Sequence, residues 1–321
     1  MATDLRVIDA VRTVLADEME RDESVIVYGE DVGIDGGVFR ATEGLIDEFP
    51  DQVHDFPLAE AGIIGVGVGL AAAGFIPVPE IQFQSFLYQG FHQLQQHVTR
   101  LRSRTRGTLT CPMTIRTPYG GGIRALEHHS ESFEAGFAHL TGLKVVVPST
   151  PANTKGLLTA AIRDPDPVVV LEPTKLYRAT REAVPDDHVT PLGEAQLVAE
   201  GTDVTVIAWG SMRREAQRAI EDVNASVELV DLQTIWPLDL ETILASVRKT
   251  GRCVVVHEAP RAAGMAADIT ARINDEAFYY LEAPIGRVTG YDVPIPLFAR
   301  EDAYLPDADA IVRAVNRTLD A

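Results

Sequence analysis

Short runs of β-branched and aliphatic residues recur through the first half of the chain, each too brief for a helix and each followed by a stretch of helical periodicity. Val25 to Tyr28 ends at Gly29, a short strand is expected near Val53, and Ile76 to Ile81, Met113 to Thr117, Lys144 to Val147 and Val168 to Leu171 have the same character. Between them, Leu5, Ile8, Val11, Leu15 and Met19 recur at helical spacing. Helices are further expected near Ala41 to Phe49, from Ala61, over Ser85 to Arg104, through Phe133 and over Thr154 to Ile162. Apolar strands alternating with helices predict a doubly wound, mainly parallel α/β sheet.

Periodicity is lost from Tyr177 to about Thr202, where Pro185, Pro191 and several charges fall. A linker is placed there. Beyond it, Val204 to Trp209, Val227 to Val230 and Cys253 to His257 are apolar strands separated by helical patterns at Met212 to Val223 and Leu240 to Val247. The expected organisation is two α/β domains, residues 1–180 and the smaller 203–321, joined by residues 181–202. The total of 321 residues suits two domains.

The charge is lopsided, with 47 acidic against 28 basic residues and a net charge of -19. Such a surface repels nucleic acid and anionic lipid, so neither is expected as a partner. Only Lys144, Lys155, Lys175 and Lys249 are lysines. Few lysines on an acidic chain read as adaptation to high salt, where screening makes self-repulsion tolerable. One stretch breaks the pattern: between Ile81 and Leu126 there is no Asp or Glu, while Arg100, Arg102, Arg104, Arg106, Arg116 and Arg124 occur. This basic island is expected to meet an acidic partner chain or an anionic ligand.

Cys111 and Cys253 lie far apart among apolar residues, as buried thiols do. The N-terminus lacks the basic-then-apolar pattern of a signal peptide, and the apolar run Ala61 to Phe75 is shorter than the ~18 residues of a membrane span. A cytoplasmic protein is expected.

Several chemistries lose support. Gly67-Val-Gly69-Leu-Ala-Ala72 imitates a dinucleotide fingerprint but has no acid about 20 positions downstream. Asp31, Asp35 and Gly36 do not complete a calcium loop, and nucleophile-elbow, phosphate-loop and zinc-protease motifs are missing.

Two constellations remain. Glu60 opens the apolar, glycine-rich helix from Ala61, where burial would raise its proton affinity and let it share a proton with a ligand nitrogen. An acid complementing the helix dipole would look the same. Gly62, Gly65 and Gly69 would let another backbone approach that helix, within the chain or from a partner. Glu127-His128-His129-Ser130-Glu131-Ser132 follows a glycine loop, and a histidine there can titrate near neutrality and reach a ligand. His257, ending an apolar strand beside Glu258, is expected to be structural or interfacial.

The chain resembles the beta subunit of the decarboxylating first component of 2-oxoacid dehydrogenase complexes of the pyruvate and branched-chain type. The matching segments include Gly29-Glu-Asp-Val-Gly33, Gly36-Gly-Val-Phe-Arg-Ala-Thr-Glu-Gly-Leu45, Pro57-Leu-Ala-Glu60 and Pro77-Val-Pro-Glu-Ile-Gln-Phe83. They continue through Ile115-Arg-Thr-Pro118, His129-Ser-Glu-Ser132, Val147-Pro-Ser149, Gly201-Thr-Asp-Val-Thr205, Asp231-Leu-Gln-Thr234 and Lys249-Thr-Gly251, so the likeness covers nearly the whole chain. It implies a transketolase-like pyrimidine-binding domain followed by a smaller transketolase C-terminal domain.

The resemblance implies that Glu60 protonates the aminopyrimidine of thiamin diphosphate, with Leu58, Gln82 and Phe86 around that ring. It gives His129 a role at the thiazolium end, assisting acyl transfer to a lipoyl group. The Gly-Asp-Gly motif with a downstream Asn, which holds diphosphate and Mg2+ in the family, is missing and would belong to an alpha subunit. The implied assembly is an alpha2-beta2 heterotetramer, inactive without alpha, that accepts a 2-oxoacid and docks a lipoyl-bearing acyltransferase. Relatives often have an acid near His92 and some at Gln89, so proton communication between two sites is not expected here. Phe56 stands where Thr is common, and Glu131 where Gln or Asp is common. Other readings of the same residues are a transketolase-like or acetoin-cleaving enzyme subunit and a non-catalytic assembly subunit.

Overall fold

The computed structural model describes residues 2–321 and contains two main sheets and one small one. The first sheet has seven strands in the order Thr234–Trp236, Lys144–Val146, Val168–Pro173, Thr114–Tyr119, Ile76–Glu80, Val25–Gly29 and Val53–Asp55. All its pairings are parallel except the outermost, Thr234–Trp236 on Lys144–Val146. The inner strands are buried along their length, which explains their unbroken apolar runs. Helices Val7–Arg21 and Pro151–Ile162 pack together on one face, and Glu60–Ala72 and Leu87–Gln96 on the other.

The second sheet has the order Gly286–Gly290, Cys253–Pro260, Val204–Ala208, Val227–Asp231 and Gln196–Ala199, with only Gln196–Ala199 antiparallel. Helices Ser211–Ala219 and Ala308–Leu319 cover one face, and Leu240–Thr250 and Met265–Ala277 the other. One apolar cluster runs from Ile63, Ile64 and Met113 of the first half to Trp209, Ile243 and Ile269 of the second, so the halves share a core.

Three expectations about the elements need correction. The long helix expected over Ser85 to Arg104 breaks at His97, a residue with non-helical dihedrals, into Leu87–Gln96 and the short Leu101–Arg104, joined by a single 3-10 turn. The helix near Ala41 shrinks to Leu45–Glu48, because Gly44 enters it in the left-handed conformation. The stretch without periodicity contains two edge strands. Glu182–Pro185 pairs with Ala2–Leu5, and Gln196–Ala199 joins the second sheet. Edge strands need no two-sided burial, so their sequences carry no apolar run.

Of the glycines in the Glu60–Ala72 helix, Gly69 faces open space and Gly65 meets only the Gln93 side chain. The tight approach is at Gly67, where a Cβ would lie 2.5 Å from both Met113 and the Tyr28 hydroxyl. Cys111 and Cys253 are buried free thiols, as expected. Among the described residues no helix is long and apolar enough to cross a membrane.

The basic island also divides. Arg116 is buried, with its Nε 2.7 Å from Glu172 and its Nη1 2.8 Å from Glu80. Arg102 and Arg124 pair with Asp166 and Asp302, acids from outside the island. Each of the four lysines is also paired: Lys144 with Asp164, Lys155 with Asp17, Lys175 with Glu215 and Lys249 with Glu228.

Candidate active site

In a parallel α/β sheet the loops leaving the C-terminal ends of the strands converge on one edge, where ligands bind. The residues singled out from sequence fall on that edge. Leu58 and Glu60 follow strand Val53–Asp55, Gln82 and Phe86 follow Ile76–Glu80, and His129 follows Thr114–Tyr119. Strands Val53–Asp55 and Thr114–Tyr119 are three places apart in the sheet, about 14 Å at the usual spacing. Glu60 and His129 therefore stand toward opposite ends of one shelf.

Glu60 begins its helix, and Ala59 supplies no side-chain cap. The residue is 5% exposed and its Oε2 is buried without a hydrogen-bond partner. The turn is fixed from both sides. The Phe56 N–H donates to the Gly29 carbonyl at 2.7 Å, and the Tyr28 hydroxyl donates to the Ile63 carbonyl at 2.9 Å. The Asp55 carboxylate accepts from the N–H groups of Gly33 and Ile34, tying the next loop alongside. Glu30 is held above its ordinary value by burial, with Asp31 and Glu60 adding to the effect.

An orphaned buried carboxylate oxygen calls for a partner, and a ligand nitrogen would satisfy it. Leu58, two residues earlier, is 69% exposed, an apolar side chain left open at the rim.

Gln82 is half-buried, and its amide donates to Asp31 at 3.2 Å. Phe86 is half-buried and packs edge-on against Phe83 and His129, with centroid separations of 5.7 and 5.3 Å. The closest ring contact in the group is Phe83 on His129, 4.2 Å apart and nearly perpendicular.

His129 Nδ1 is buried without a partner, while burial, helped by His128, lowers the pKa of the ring against the pull of Glu127. The shift favours the neutral imidazole, whose unprotonated ring nitrogen can act as an acceptor. The structure joins Phe86 and His129 in one aromatic group. Leu58 and Gln82 take no part in it.

Sequence reasoning passed over Phe83, although it ends one of the quoted motifs. Its buried ring bridges Phe39, Phe86 and His129. An isolated aromatic after a strand carries no periodic signal that marks it as a support. Tyr88, one turn beyond Gln84, donates to Glu131 at 2.7 Å and was equally silent. Gln89 and His92 lie exposed on the helix Leu87–Gln96, where the His92 ring faces His97 at 5.8 Å. His257 is buried and stacked on Trp209 at 5.4 Å, a structural placement in accord with expectation.

Among the described residues, no group of three or more His, Cys, Asp or Glu is placed to hold a metal. The shelf offers an acid, an imidazole and aromatic faces, a set suited to a planar nitrogen heterocycle.

Comparison with known proteins identifies the family. Residues 4–180 match the family model "Transketolase, pyrimidine binding domain", and residues 193–311 match "Transketolase, C-terminal domain". The chain is 47% identical to "Pyruvate dehydrogenase E1 component subunit beta" of Acholeplasma laidlawii, covering 99% of this chain and 98% of that protein. It is also 47% identical to "3-methyl-2-oxobutanoate dehydrogenase subunit beta" of Mycobacterium tuberculosis, covering 98% and 92%. A solved structure titled "Split gene transketolase, inactive beta4 tetramer" superposes with a TM-score of 0.82 at 23% identity, covering 98% of each chain, which supports the fold. With an acid-and-imidazole shelf on a transketolase scaffold, and near-full-length identity to two such subunits, the chain belongs to the family of 2-oxoacid dehydrogenase E1 beta subunits, a thiamin-diphosphate-dependent family.

Proposed function

We propose that the chain is the beta half of an enzyme that oxidatively decarboxylates pyruvate or a branched-chain 2-oxoacid and passes the acyl group to a lipoyl arm. The observation that carries this reading is the unpartnered buried oxygen of Glu60 on the same strand-end shelf as His129 with its unpartnered Nδ1. Thiamin diphosphate fits these donors, and when bound it supplies the electron sink for the carbon that loses carbon dioxide. Glu60 would hold a proton at Oε2 toward a pyrimidine nitrogen, Phe86 would offer its face to that ring, and Leu58 and Gln82 would border it. His129 would accept and return a proton at the acyl-transfer end.

An alpha subunit would supply the diphosphate and Mg2+ ligands in an alpha2-beta2 tetramer, with a lipoyl-bearing acyltransferase as the docking component. The proposed chain division is residues 1–180 and 203–321 with a connecting segment at 181–202. The chain is also proposed to be salt-adapted, a reading that the net charge of -19 and the scarcity of lysine support, and to work in the cytoplasm.

The test is co-expression with an alpha partner and assay of 2-oxoacid decarboxylation with an artificial acceptor, in the presence of thiamin diphosphate and Mg2+. Glu60→Gln should lose at least about a hundredfold in kcat, the ordinary worth of a positioned acid. Wild-type turnover by that variant rejects the role. Turnover of ketose phosphates or acetoin in place of 2-oxoacids would move the chain to another member of the wider fold.

A further inference from the structure

The loop between strand Thr114–Tyr119 and the 3-10 turn Glu127–His129 has the sequence Gly120-Gly121-Gly122-Ile123-Arg124. The second half of the chain grips it with carboxylates. The Gly121 N–H donates to Glu258 Oε2 at 3.1 Å, and the Arg124 N–H donates to Glu301 Oε2 at 2.7 Å. Both acids are buried, Glu258 at the end of strand Cys253–Pro260 and Glu301 in the short turn Phe298–Ala303. Outside that pair, the Arg124 guanidinium meets Asp302 at 2.6 Å. On the inner side, the Gly120 N–H donates to the Glu131 carbonyl at 3.1 Å, and the Thr174 hydroxyl donates to the Gly120 carbonyl, also at 3.1 Å.

The glycines make the grip possible. A Cβ at Gly120 would sit 2.6 Å from Glu258 Oε1, and one at Gly121 would sit 3.0 Å from Glu301 Oε1. Gly120 also has φ +76, which side chains rarely adopt. Burial pushes the Glu258 carboxyl up to about 8, so near neutrality it is mostly the protonated acid and still accepts from Gly121. Five residues after Arg124 the chain delivers His129 against Phe83 and Phe86.

We propose that Glu258 and Glu301 are positioning residues for His129: by latching the Gly120–Arg124 loop they hold the imidazole in its place on the shelf. This assignment rests on the reading of His129 as the group that assists acyl transfer. Reactions requiring aligned groups fall steeply with displacement, about a hundredfold for 1 Å. The second half would therefore contribute to the chemistry through the loop it holds.

The experiment uses the complex assembled with the alpha subunit and compares wild type with Glu258→Ala, Glu258→Gln, Glu301→Ala and His129→Ala. Amide hydrogen exchange over residues 120–129 and acyl transfer to a lipoyl domain are read in each. Either alanine variant of the latch should raise exchange in the loop about tenfold, one hydrogen bond's worth. Each should also lower kcat for acyl transfer about tenfold or more while leaving KM for the 2-oxoacid within about twofold. Glu258→Gln keeps an acceptor oxygen and should restore both readouts. Glu301→Ala supplies the test if Glu258→Ala fails to assemble.

Unaltered exchange in the loop overturns the assignment. So does faster exchange with undiminished transfer in a protein whose His129→Ala variant has lost it. Full transfer by His129→Ala itself overturns the His129 reading and the assignment together, which separates the two failures.

Discussion

Replacing Arg116 by Met should unseat the first sheet. The guanidinium lies between two carboxylates from the flanking strands, donating to Glu172 at 2.7 and 3.1 Å and to Glu80 at 2.8 Å. The Tyr177 hydroxyl adds a fourth bond, to Glu172 at 2.6 Å. Arginine and both acids are almost wholly buried, so no water substitutes for a lost partner. Burial works against the guanidinium charge, but Glu172 and Glu80 more than offset it and raise the Arg116 pKa.

Removing one partner of a buried ion pair costs about 3–5 kcal/mol. For a chain of 321 residues that lowers the thermal midpoint by about 4–7 °C. The exposed pair Arg102 and Asp166, at 2.6 Å, has similar geometry without burial, so Arg102→Ala should cost about 1 kcal/mol or less. Calorimetry on the two variants measures the contrast. Equal midpoints for the two variants would refute the argument that burial sets the magnitude.

A pH effect follows from three buried acids. Burial raises Glu258 to about 8, and Glu134 and Asp231 to about 7, against ordinary values of 4.5, 4.5 and 3.8. Their contribution to stability is present in full below the unfolded values and is lost as pH rises through 7 to 8. His257, lowered by burial from 6.5 to about 4, contributes above 6.5 and loses its effect as pH falls through 4. Melting curves from pH 6.5 to 9 should therefore show a falling midpoint, less steep in Glu258→Gln; a flat profile contradicts this. Raising NaCl from about 0.1 to 2 M should lift the midpoint by screening the net charge of -19, and a fall would remove the salt-adaptation reading. Gly67→Ala should cost about 1–3 kcal/mol through contact with Met113 and Tyr28, while Gly69→Ala, facing open space, should stabilise the chain by about 0.5–1 kcal/mol in denaturant titrations.

The strands themselves, though not their order in the sheet, were legible where they are buried on both faces, because Val25–Gly29 and Val168–Pro173 leave an unbroken apolar trace. Edge strands such as Glu182–Pro185 and Gln196–Ala199 left none, their burial being partial. Glu60 and His129 stood out as polar residues in unusual settings, and the fold puts both on the strand-end shelf. Phe83 did not, since what distinguishes it is a ring contact with a residue 46 positions away, 4.2 Å between centroids. Arg116 misled for a related reason. Counted along the chain it belongs to a basic stretch, whereas its charge is met by Glu80 and Glu172 from the neighbouring strands.

The hop of Thr234–Trp236 back onto Lys144–Val146 bears on any attempt to dissect this protein. A fragment stopped near residue 180 would leave the Lys144–Val146 backbone bare, a template for stray strands and hence for precipitation. Grafting the trailing portion of another relative would succeed only if the donor brings a matching three-residue clasp in the same register.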